Sequence, residues 1–308
     1  MRPLPIAAIA LLAAPLGQAE ETSAHLGPVT GVALVGGQVY SVSQAGIFSG
    51  ARRLAKPPFR VTSMAASKPL LLVGGGQPAA SGEIAALEPD GHRLAKLRLG
   101  DNLVYSVAVA PDGKTAAAAM ADGRVLTFAF PGLAAASVAE ANRHEAIVRA
   151  VAFSPDGRWL ASAGLDGLVL LTPRQPGVKP VVLADHSAGI ESLAFAPNSG
   201  RLATGSRDGR VRLHSIEGRL LRTFAGVGEP PDATGFGSAP RVLCLDWNED
   251  RLIGGTSTGF LFRLPDGQGL WQPLHRTKAG PVYSLGQGPG QIVAGTTGQL
   301  LKLPRPTK

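Results

Sequence analysis

Along the chain, short apolar runs alternate with tight clusters of Pro, Asp, Asn and Gly. The recurring run has the form (Val/Ile)-x-x-(Val/Leu/Met). It begins at Val29, Val61, Val104, Val148, Ile190, Val242 and Val282, at intervals of 32, 43, 44, 42, 52 and 40 residues. Runs this short, rich in β-branched residues and bounded by turn formers, predict β-strands.

The residues after each run recur too. Three runs lead into "APDGK", "SPDGR" and "APNSGR" (110–114, 154–158 and 196–201), where Pro at the second position and Gly near the exit suit a type I turn. A second strand of small residues comes next, such as "LASAG" and "LATGS". Asp-Gly then closes a hairpin at Asp122, Asp166 and Asp208, each 18 residues after its run begins. A two-residue hairpin with φ > 0 at both central positions is the expectation there. Thr258-Gly259 and Thr297-Gly298 take that place in the last two units. A third apolar strand and often a further turn complete the unit. A period of about forty is that of a four-stranded propeller blade. The expected fold is therefore all-β, a seven-bladed β-propeller of four-stranded antiparallel blades. The first two units match loosely, which leaves six blades as the alternative. The last unit ends near Leu303, so its outer strand is expected from Glu20–His25.

The units "VRAVAFSPDGRWLASAGLDGLVLL" and "IESLAFAPNSGRLATGSRDGRVRLHSIEGRLLRTF" resemble WD40 repeats, and the resemblance extends over roughly residues 25–303. In that family a His stands four residues before the first strand and pairs with the turn Asp through a hydroxyl of the second strand. His25, His144 and His186 stand at that offset. The resemblance implies one network of His144, Ser162 and Asp166 and another of His186, Thr204 and Asp208. The family's Trp is missing, its position held by Phe128, Thr172 and His214, so each network is expected to have three members at most. It also implies a protein-binding role.

Composition adds a compartment. Residues 1–19 combine Arg2, an apolar stretch from Ile6 to Leu16 and a small-x-small end at Gly17–Ala19, which reads as a cleaved signal peptide ahead of a single domain, 20–308. The apolar stretch is too short to span a bilayer. Periplasmic or secreted location is the expectation, with no membrane span. Cys244 is the only cysteine, so no internal disulfide forms, and its alternating strand "RVLCLDW" predicts a buried, inert thiol. No Cys-x-x-Cys-His attaches a haem.

The His-Ser-Asp sets look like hydrolytic triads, but they recur in successive units, whereas a catalytic set needs one pocket. No catalytic residue, metal site or cofactor is expected. A lactonase-type propeller with a metal in its channel is the enzymatic alternative. It needs several converging carboxylates, and most acids here sit in turns. A TolB-like envelope propeller is the structural alternative, since it too carries "SPDG" turns.

The net charge is +8, yet no aromatic-interleaved basic patch suggests nucleic acid. Arg201, Arg207, Arg210, Arg212, Arg219 and Arg222 gather in unit five and suit an acidic partner. The long interval before unit six hides an insertion, 225–241. It would join the outer strand of blade five to the inner strand of blade six. Asp232 and Phe236 within it, with Arg207, Arg241, Arg149 and Tyr105 on the same face, are the candidate partner-binding residues. The expected protein is a monomeric, exported, non-catalytic scaffold for a periplasmic protein partner. By resemblance to exported bacterial modules of this kind, that partner is a c-type cytochrome or another redox enzyme.

Overall fold

The computed structural model describes residues 20–22, 25–175, 177–227, 239–249, 251–264, 271–288 and 290–304. They form seven four-stranded antiparallel sheets, each a meander read from the axis outward. The inner strands are Gly31–Val35, Arg60–Ser67, Val104–Val109, Val148–Phe153, Ile190–Phe195, Val242–Asn248 and Ser284–Gly288. The count of blades is thus seven, including the two that match the repeat loosely. The unit that begins at Val148 is blade four, whose strands are Val148–Phe153, Trp159–Gly164, Val169–Pro173 and Val181–Leu183. Blade seven takes its outer strand, Glu20–Thr22, from the start of the described chain, paired with Leu300–Pro304. The ring closes as the sequence suggests, on three residue pairs.

The core is divided among the interfaces between blades. Leu72 and Ile84 of blade two pack with Val104, Ala116 and Phe128 of blade three. Ala203 and Val211 of blade five pack with Val242, Leu252 and Phe262 of blade six. Each large side chain among these, fully buried, contributes about 1.5–3 kcal/mol.

The third residue of the inner-strand motif ties neighbouring blades. Ser63 Oγ accepts from Val107 N (3.1 Å), and Ser106 Oγ accepts from Val151 N (3.4 Å). Ser192 Oγ, Cys244 Sγ and Ser284 Oγ donate to Val242 O, Val282 O and Val29 O at 3.4, 3.4 and 2.8 Å. Inner strands have an exposed backbone edge facing the axis, and a small polar side chain satisfies part of it. Cys244 is one of these ties. Burial pushes its thiol far above the ordinary range, which agrees with an inert role.

The hairpins after the second strands correct one expectation. At Asp122, Asp166 and Asp208 only the following glycine has positive φ, 86°, 80° and 73° at Gly123, Gly167 and Gly209. The glycine N–H bonds back to Met120, Gly164 and Ser206. This is a type I turn followed by a left-handed residue, the three-residue form of hairpin. Asp is favoured because its carboxylate accepts the N–H two residues on: Arg124, Leu168 and Arg210, at 3.2, 3.1 and 3.0 Å. In "APNSGR" the left-handed position is Ser199 (φ 59°), not the glycine.

Candidate functional site: the mouth of the central channel

In an antiparallel meander, the turns from second to third strand and the connections between blades emerge at one end. Arg207 lies in such a turn, and Arg241 immediately precedes an inner strand. The second residue of each inner-strand motif lies close to the same end. Those residues are Thr30, Thr62, Tyr105, Arg149, Glu191, Leu243 and Tyr283, one per blade, and all line a channel of about 500 Å³. The sequence motif therefore lays one residue per blade around a single mouth.

Four of the six candidate partner-binding residues meet there. Arg149 Nε donates to Glu191 Oε2 at 2.7 Å, and Arg207 Nε donates to Oε1 at 2.6 Å. Arg241 Nη1 stands 3.9 Å from Oε1. The Arg149 guanidinium lies over the Tyr105 ring, 4.5 Å from its centroid. The Glu191 side chain is 1% exposed, against 31%, 39% and 49% for Arg149, Arg207 and Arg241. Burial works against the carboxylate charge, but Arg149 and Arg207 outweigh it and hold Glu191 below its usual pKa. One buried anion thus organises three partly exposed cations, with a local excess of positive charge. Asp232 and Phe236 lie outside the described residues.

Glu191, the hub of this cluster, is missing from the sequence-derived candidates. Aligning the motif by its second residue would have brought it beside Arg149 and Tyr105. The six arginines of unit five, in contrast, do not form one patch. Arg201 stands at the opposite end and lies over Trp247 (5.1 Å), while Arg222 lies over Phe224 on the outer strand. The Arg212 side chain is 5% exposed and belongs to the interior.

The two polar networks are present, with different wiring. In blade four, His144 Nδ1 donates to Asp166 Oδ2 at 2.9 Å, and Nε2 lies 2.9 Å from Ser162 Oγ. The chain extends to Asn142 (3.2 Å from Ser162 Oγ), which donates to Thr172 Oγ1 at 2.8 Å. Five residues take part, so the limit of three was wrong: Thr172, in the Trp position, recruits Asn142. In blade five His186 does not touch Asp208. Arg212 Nη1 stands between them, 2.7 Å from His186 Nδ1 and 3.0 Å from Asp208 Oδ2, while His186 Nε2 reaches Thr204 Oγ1 at 2.6 Å. Burial and then the Arg212 charge lower the His186 pKa to about 4. His25 has no turn Asp and bonds Ser43 and Ser41, each at 3.1 Å.

Among the described residues, no group of three or more His, Cys, Asp and Glu stands placed to hold a metal ion, and no helix is long and apolar enough to cross a membrane.

Comparison with known proteins agrees with this architecture. The family model described as "WD domain, G-beta repeat" matches residues 137–171 and 177–215. No curated protein matches the sequence. The WD40 β-propeller domain of Doa1 is similar in fold (TM-score 0.74, 18% identity, 95% of this chain and 97% of that one). So is U3-55K, with TM-score 0.77, 18% identity and coverage of 93% and 98%. Two WD40 repeats are thus matched within a seven-bladed propeller, over a span that runs from the outer strand of blade three to the third strand of blade five.

Proposed function

We propose that the chain is an exported, non-catalytic protein-binding platform, and that the mouth of its channel receives an acidic protein partner. The observation that carries this reading is the cluster at Glu191, where three partly exposed guanidiniums surround one buried carboxylate. Such an excess of charge at a concave opening steers anionic surfaces and aligns them on contact. The apolar leader at 1–19 supports a periplasmic or secreted location. The resemblance to exported bacterial modules of this type supports a redox enzyme, such as a c-type cytochrome, as the partner.

Affinity purification of the chain from its native compartment, with gentle crosslinking, tests the reading. One partner should recur and be lost from the Arg207→Ala/Arg241→Ala double variant. Failure to recover any reproducible partner would overturn the platform.

A further inference from the structure

We propose that the guanidiniums around Glu191 form a seat for one carboxylate, the side chain of an Asp or Glu in an extended segment of the partner. This inference rests on the platform reading and names the chemistry it recognises.

Arg149 and Arg207 each use Nε to hold Glu191. Among the described residues, their terminal nitrogens have no hydrogen-bond partner, and the Arg241 guanidinium makes no side-chain hydrogen bond, with Glu191 as its ion-pair partner at 3.9 Å. Glu191 itself is too buried to meet a partner. It fixes two forks from beneath and neutralises only one of three charges. An incoming carboxylate can then accept from free guanidinium N–H groups, the strongest class of protein hydrogen bond. The Tyr105 ring under Arg149 limits the motion of that fork. Preorganised donors bind an anion with less loss of side-chain freedom. At the same level of the channel, blade six presents Leu243 two residues after Arg241, so an apolar side chain adjoins the cations. The segment that fits carries an acidic residue beside an apolar one.

Random peptides displayed on phage and selected on the purified chain should converge on an Asp or Glu next to an apolar residue. A synthetic consensus peptide should lose about tenfold in affinity when its acid is changed to the amide. Arg241→Ala, at a half-exposed side chain, should weaken it several-fold without lowering the melting temperature. Glu191→Gln keeps the shape but removes the competing charge, and should strengthen binding at low salt. A neutral or basic consensus, no enrichment at all, tighter binding of a phosphoserine version, indifference to Arg241→Ala or weaker binding by Glu191→Gln would each overturn the seat. The platform reading survives those results if a crosslinked partner is still recovered.

Discussion

Blades four and five share almost every device of the repeat, yet the same three positions are wired differently in each. In blade four the imidazole of His144 meets the Asp166 carboxylate directly. In blade five a guanidinium stands between His186 and Asp208. The register locates the cause in one residue. Ser162 pairs with Leu170 across blade four, and Thr204 pairs with Arg212 across blade five. Exchanging leucine for arginine at that position turns a neutral donor–acceptor chain into one with a buried ion pair. The aspartate therefore holds a neutral ring in one blade and a charge in the next.

The largest consequence is expected at the aspartates. Asp208→Ala leaves the Arg212 charge buried without its counterion, a loss of about 3–5 kcal/mol. Asp166→Ala leaves a neutral His144 short of one acceptor, a loss of about 1–3 kcal/mol. Denaturant unfolding of the two variants measures both. In the Asp208→Ala/Arg212→Leu double variant, where no charge is stranded, most of the stability should return. Equal losses at the two aspartates, or no recovery in the double variant, would break the comparison.

Acid should expose the same difference. The folded state lowers the His186 pKa from 6.5 to about 4, so between those values the unfolded chain binds more protons. Stability then rises with pH across that window, is complete above 6.5 and is lost as the pH falls. For His186 this amounts to about 3 kcal/mol. Burial lowers His25, His144 and His214 as well, which adds to the slope. The Asp246 carboxyl, pushed up to about 6 by burial, opposes it. Arg212→Leu removes the charge that faces His186, so NMR titration should find that imidazole closer to its ordinary pKa. The pH dependence of unfolding should become shallower at the same time. An unchanged His186 titration would show that burial alone sets it.

These two blades also show what a sequence makes legible. Their Pro-Asp-Gly, Pro-Asn-Ser-Gly and Asp-Gly turns and the (Val/Ile)-x-x-(Val/Leu) strands are local signals, and strands, blade order and closure follow from them. The channel mouth was legible as far as topology reaches, because a turn residue and a pre-strand residue must share a face. That brought Arg207 and Arg241 together with Arg149 and Tyr105. Glu191 reads in the sequence only as an isolated strand-borne carboxylate, because its importance comes from residues 42 and 16 positions away, Arg149 and Arg207. Arg212 reads as an exposed residue of "RVRLH". It is buried because Asp208, four residues earlier, supplies its counterion inside the blade.

A smaller effect distinguishes how tightly the two blades meet their neighbours. Ser192 stands opposite Gly205, whereas blade four places Ala150 opposite Ala163. A Cβ at Gly205 would lie 2.4 Å from Ser192 Oγ and 2.6 Å from Val242 Cγ1. Gly205→Ala should therefore cost about 1–3 kcal/mol by overpacking. Adding Ser192→Ala, which reproduces the blade-four pair, should recover part of that loss. Additive losses from the two substitutions would mean that the contact with Val242 alone sets the space.

The smallest effect is expected one blade further on, at Cys244. Its sulfur does for blade seven what Ser192 does for blade six, donating to the carbonyl of the first residue of the next blade's inner-strand motif. Ser284 fills the same position at the next interface and donates at 2.8 Å. Serine is smaller than cysteine and donates more strongly, so Cys244→Ser exchanges a little packing for a better hydrogen bond. The net change should stay within about 1 kcal/mol. Cys244→Val adds bulk and leaves the Val282 carbonyl without its donor, and should cost more than Cys244→Ser. If valine were the better tolerated of the two, the sulfur would be acting as packing alone, and the polar ties between blades would skip the interface of blades six and seven.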